Sequence, residues 1–232
     1  MKKVGFIGAF DKTDFIIYIA KILTMLNNKV MVVDSTISQK AKYVVPVINP
    51  TKTYITTYED IDVAVGFEDI QEIRHYLALT EDKDLEYDII LIDTDSTEVL
   101  ENFDMKNANI NFFVTSFDLF SLKKGLEILS GLKEPIIMTK ILFSKDMLPE
   151  ENDYLDFLSL GYKIIWEEER IYFPFETGDQ SVIIENQRVS KIKFKGLSAH
   201  YKDSLQIIVE QILERVSASE VRKTIKAIEK GV

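Results

Sequence analysis

Apolar runs of five to eight residues alternate with longer amphipathic stretches along most of the chain. The first run, Lys3–Ile7, carries Val4, Phe6 and Ile7 and reads as a strand. "DFIIYIAKILTMLN" follows, with Phe15, Ile19, Ile22, Leu23 and Leu26 at helical spacing over residues 14–27. "KVMVVD" (29–34), "DIILID" (88–93), "INFFVT" (110–115) and "PIIMTKIL" (135–142) are continuous enough to be strands buried on both faces. Helices are predicted over 68–79, 119–132, 151–160, 198–216 and 219–230. Pro46 makes 44–48 an edge strand or extended segment. Tyr162–Trp166 and Ser181–Ile184 read as short strands, and Glu167–Glu169 as a solvated acidic turn.

Strands alternating with helices predict an α/β fold: a doubly wound, mostly parallel sheet with helices on both faces. Residues 1–218 read as one domain, followed by an amphipathic helix over 219–232. The length of 232 residues suits that organisation.

Composition narrows the chemistry. The chain has no cysteine, which removes disulfides and thiol catalysis. Its formal net charge is −10, against a broad nucleic-acid surface. No apolar run approaches the ~20 residues that span a bilayer. No signal peptide is evident, and a cytoplasmic location is expected. His75 and His200 have no metal partner in the sequence, and no G-x-S-x-G motif occurs.

The candidate chemistry lies at the carboxyl ends of the predicted strands, where open α/β sheets bind ligands. "VGFIGAFDKTDF" follows the first strand, Asp34 ends the second and Asp93 ends "DIILID". In this order and spacing the chain resembles the MinD/ParA family of P-loop ATPases. "KVMVVDST" is similar to the family's second strand and switch acid, and "YDIILIDTDS" to its Walker B segment. "ANINFFVTSFDLFSLKKGLEIL" is similar to its Val-Thr strand and Ser-Leu helix start.

The family's deviant Walker motif K-G-G-x-G-K-[ST] aligns with residues 7–13, and Gly8, Lys12 and Thr13 match it. The resemblance implies ATP as cofactor, with Lys12 reaching phosphate. Thr13 would bind magnesium, Asp93 would hold it through water, and Asp34 would be the switch acid. Three positions depart from the pattern. Ile7 replaces the signature lysine that reaches a partner subunit's nucleotide. Asp11 replaces a glycine whose amide faces phosphate. Thr36 stands where a second switch acid would position water.

Asp11 decides between readings. Two like charges ~4 Å apart repel by about 4 kcal/mol at an effective dielectric of ~20, or about three decades of affinity. An Asp at a helix start also caps it, by about 1 kcal/mol, so Asp11 is expected to fill the anion site from within. Lys12 is a candidate to pair with it.

The expected function is therefore a degenerate ATPase-like scaffold that positions or regulates a larger assembly, with little or no hydrolysis. Members of the TadZ/CpaE branch offer the analogy. A weak Mg-ATPase dimer switch and a partition-type DNA-binding protein are the alternatives. A protein partner is expected, with a homodimer independent of nucleotide and weak contact with the inner membrane face as lesser alternatives, and nucleic acid is not. Val221, Ile225 and Ile228 form an apolar stripe near the C-terminus, with Arg222, Lys223 and Lys226 beside it. That stripe is expected to dock on its own domain or on a partner rather than on a membrane, since it is short and carries no Phe or Trp.

Overall fold

The computed structural model describes residues 1–48, 50–80, 84–144, 149–174 and 176–231. The predicted C-terminal segment ends on Val232, which lies outside them. In chain order the elements are β1 (Lys2–Ile7), α1 (Thr13–Met25), β2 (Val30–Asp34), α2 (Ala41–Val44), β3 (Tyr54–Tyr58), β4 (Ile61–Val65), α3 (Ile70–Thr80), β5 (Ile89–Thr94) and α4 (Thr97–Asn102). A 3-10 turn at Met105–Asn107 precedes β6 (Ile110–Ser116), α5 (Leu119–Ser130), β7 (Ile136–Phe143), α6 (Pro149–Leu158), β8 (Ile164–Phe173), α7 (Thr177–Val189), α8 (Ala199–Ile212) and α9 (Ala218–Lys230).

The eight strands form one sheet in the order β3-β4-β2-β5-β1-β6-β7-β8. All pairings are parallel except β3 with β4. Successive side chains of a strand enter opposite faces. Val4 and Phe6, Val30 and Val32, Ile89 and Leu91 join the core under α1, α8 and α9. Ile7, Met31, Val33, Ile90 and Ile92 join the core under α3 to α6. Burial on both faces explains why these strands read as unbroken apolar runs. β1 lies between β5 and β6, so its carboxyl end opens onto the crevice where the sheet winds both ways.

Four expectations change. Residues 44–48 hold no strand; the short helix α2 ends there and the chain continues extended. The sheet edge is instead the β3–β4 hairpin, turned by Glu59 and Asp60 at φ 48° and 68°. Two left-handed residues match the twist of a two-residue hairpin, but without glycine the turn left no signal. Ser181–Ile184 lies inside α7, whose Val182 and Ile183 pack against the first core. Tertiary packing there overrides the β-branched preference for strand. Of Tyr162–Trp166 only Ile164–Trp166 is strand, the start of the longer β8, which carries Glu167–Glu169 through an irregularity opposite Met138 and Lys140. The acids are thus strand residues rather than a turn.

Candidate functional site

The loop after β1 is held from beneath by a backbone contact that admits only glycine. The Gly8 amide donates to the Thr94 carbonyl of β5 at 3.1 Å. Gly8 has φ +143°, and a Cβ there would sit 2.2 Å from the Val114 carbonyl oxygen of β6. The loop therefore lies across the ends of three neighbouring strands, and α1 starts directly beyond it.

Lys12 folds back into this cradle. Its Nζ donates to the Gly8 carbonyl at 2.7 Å and lies 2.8 Å from Asp93 Oδ1. Both side chains are only 2% exposed. The Thr13 hydroxyl donates to Asp93 Oδ2 at 3.4 Å. Burial pushes the Asp93 carboxyl up to about 7, opposed by the Lys12 ammonium and reinforced by the Asp34 charge. The structure thus brings Lys12, Thr13 and Asp93 into one buried set.

Asp11 lies at the open rim of the loop, its side chain 54% exposed, rather than in the buried cradle. Its Oδ1 accepts the Thr13 amide at 3.3 Å, and its Oδ2 lies 2.5 Å from Lys40 Nζ. Lys40 also pairs with Asp14 Oδ2 at 2.5 Å, and Asp14 Oδ1 accepts Gln187 Nε2 at 2.7 Å. Burial lowers the Lys40 ammonium, but the Asp14 and Asp11 carboxylates outweigh it and hold the group above its ordinary value. This corrects the expected pairing of Lys12 with Asp11. Lys12 is spent on Gly8 and Asp93 inside the cradle, so the outer carboxylate takes a cation from the segment after β2. Sequence reading missed Lys40, whose partners lie 26 and 29 residues away.

Asp34 is a turn acid. Its Oδ1 accepts the Thr36 amide at 3.1 Å and the Thr36 hydroxyl at 2.6 Å, while Oδ2 accepts the Ala41 amide at 2.8 Å. These bonds close the loop between β2 and α2 and engage both oxygens. Asp95, two residues beyond Asp93, fastens the same loop through the Ile37 amide at 2.9 Å. Its signal was the third acid of "DIILIDTDS". Ile7 points away from the site and is fully buried.

A cleft of about 340 Å³ remains above the loop, between residues 9–13, Thr36, Lys40, Tyr43, Asp93 and Asp95. Its size suits a small ligand, and its polar groups are directed largely at one another. A phosphate cradle needs free backbone N–H groups at the helix start, and the Thr13 amide is already bound to a carboxylate. Lys12 and the Thr13 hydroxyl are both directed at Asp93, and both Asp34 oxygens hold its turn. Among the described residues no group of three or more His, Asp or Glu side chains could hold a metal ion.

At the C-terminus, Val221, Ile225 and Ile228 of α9 are buried in the core with α1 and α8. Arg222 Nε donates to Gln206 Oε1 of α8 at 2.8 Å, and Lys202 pairs with Glu229 at 2.6 Å. Lys223 and Lys226 face outward. Among the described residues no helix is long and apolar enough to cross a membrane.

No protein-family model matches this sequence, and no curated protein matches it. Solved structures do match its fold. A plasmid partition protein of Borrelia burgdorferi B31 bound to AMPPNP is 13% identical, with TM-score 0.57 over 93% of this chain and 99% of that one. The ATP complex of Cyanothece McdA is 11% identical, with TM-score 0.58 over 94% and 98%. MinD in the MinC:MinD cell division complex of Aquifex aeolicus represents a further match, 11% identical at TM-score 0.51 over 99% and 96%.

Proposed function

The fold is that of the ParA and MinD ATPases, and we propose that this chain uses it as a scaffold whose phosphate loop is filled by its own side chains. On this reading it positions or regulates a larger assembly through protein contacts, in the cytoplasm or at the inner membrane face, with little or no ATP hydrolysis. The observation that carries the proposal is the Asp11 carboxylate on the Thr13 amide. It supplies from within the chain the anion that such a loop otherwise binds. Ile7 and Thr36 support it, because neither offers the charge or the base that turnover requires.

The surroundings of the loop favour a protein partner. Ile37, Tyr43, Leu119 and Phe120, all on segments leaving the carboxyl ends of strands, are between 60% and 79% exposed. Aromatic and aliphatic side chains of this kind are the usual anchors of protein interfaces. The MinC:MinD complex shows the same fold engaged with another protein.

A weak Mg-ATP switch is the second reading, carried by the retained set of Lys12, Thr13 and Asp93. Phosphate release and light scattering, each with and without Mg-ATP, separate the two. The scaffold reading expects no release above buffer and one molar mass in both conditions. A monomer that becomes a dimer only with ATP supports the switch.

A further inference from the structure

The face of the sheet that carries α1, α8 and α9 is left open at one corner. Ile141 of β7 and Ile171 of β8 are buried there at 0% and 1% exposure, within the core that α8 completes. Earlier on the same strands Ile137 and Ile165 stand side by side in register, each 54% exposed. Exposure of that extent is unusual for paired apolar residues of a sheet whose other strands are covered. Beside them a concavity of about 500 Å³ extends between β6, β7, β8 and the end of α8, far from the phosphate loop and at the opposite edge of the sheet.

The walls of this concavity are acidic. Glu167 and Glu169 of β8 line it, and Glu169 Oε2 accepts Gln211 Nε2 of α8 at 2.9 Å. Among the described residues Glu167 has no ion-pair partner. The one cation on the lining, Lys106, is met by Glu134. β8 is also an edge of the sheet, so among the described residues one side of its backbone faces no neighbouring strand.

We infer that this corner docks a basic amphipathic segment of a protein partner, with apolar side chains on Ile137 and Ile165 and Lys or Arg against Glu167 and Glu169. Charge chooses this occupant over others. A nucleic acid or an anionic membrane would be repelled by the same carboxylates. A second copy joined edge to edge would oppose Glu167–Glu169 to its own counterpart; acids on an edge strand are a device against such pairing. A basic chain gains from both the apolar floor and the acidic wall, and sheet edges are recurrent peptide-binding sites. The inference does not depend on whether the phosphate loop binds nucleotide.

The test uses the full chain and a labelled 14-residue amphipathic peptide of lysine and leucine, followed by fluorescence anisotropy at ~150 mM salt. The same peptide with glutamate for lysine is the control. Saturable binding of the basic peptide alone is expected. It should weaken about tenfold in the double variant Glu167→Lys, Glu169→Lys, and also in Ile165→Ser. Glu86→Lys with Glu185→Lys changes the net charge equally at exposed positions away from the corner and should leave binding within about twofold. Melting curves check that each variant is folded. No saturable binding, equal loss in both charge-reversed pairs, or equal binding of the acidic peptide overturns the inference.

Discussion

The Thr13 amide donates to the Asp11 carboxylate at 3.3 Å, at the place where α1 would otherwise present a free N–H to a phosphate. The contact satisfies one orphan donor of the helix start without any ligand. Lys40 neutralises the same carboxylate from outside the loop. Direct charge repulsion, the obstacle expected from the sequence, is thus partly relieved, and occupation of the amide takes its place.

Lys40 is then the pin that keeps the filled loop in place. Lys40→Met leaves Asp11 and Asp14 without their shared cation and should destabilise the chain by about 1 kcal/mol, the upper range for a partly exposed pair. The neighbouring carboxylates raise the folded-state value of this group. Its contribution is therefore complete below the unfolded lysine value of about 10.4 and is lost as pH rises beyond it. Urea melts of both proteins should differ equally at pH 7 and 9 and converge toward pH 11.

At the start of α5 the opposite sign applies. Asp118 caps the helix by accepting the Ser121 amide at 2.9 Å. Hydrogen bonds from the Ser116 and Ser121 side chains and the Ser121 amide hold its carboxyl down at about 2. Asp118→Ala should cost about 1 kcal/mol at pH 7, and Asp118→Asn less. The difference is present above the unfolded aspartate value of about 3.9 and fades as pH falls toward 2. Denaturant melts at pH 7, 4 and 3 follow it.

Gly8 is fixed by sterics rather than by catalysis. Its Cβ would meet the Val114 carbonyl at 2.2 Å, and its φ of +143° disfavours any side chain. Gly8→Ala should lose about 2–3 kcal/mol through strain alone, read as a lowered urea midpoint with or without nucleotide. An unchanged midpoint would show that the loop bends freely.

The stripe of α9 is committed to the chain's own core. Burial of Val221, Ile225 and Ile228 contributes roughly 5–8 kcal/mol before ordering costs, and Ile225→Ala should lose about 2–5 kcal/mol. Removing residues 219–232 should lower stability and change little in sedimentation with anionic liposomes. Pelleting of the full chain but not of the truncation would mean that α9 leaves its groove for the membrane.

Strands buried on both faces were legible because each required an apolar run, and "VMVVD" and "IILID" could hardly be anything else. The positions of Gly8, Lys12, Thr13 and Asp93 followed from motif order. What stayed hidden depended on distant chain or on backbone conformation. Lys40 has no local relation to Asp11, and the Glu59–Asp60 turn lacks the usual glycine. Asp34 reads the same as a switch acid or a turn acid until the Ala41 amide is placed beside it. Val182-Ile183-Ile184 resembles a strand because its helical state depends on the core that receives it.

The central claim is that the loop carries its own anion. Calorimetric titration of ATP with magnesium into the wild-type chain and into Asp11→Gly tests it most directly. The account predicts a wild-type affinity weaker than ~100 µM and a clear gain in the variant, which frees the Thr13 amide, removes a carboxylate and restores a flexible backbone. Low-micromolar binding by the wild type, or no gain in the variant, would contradict it.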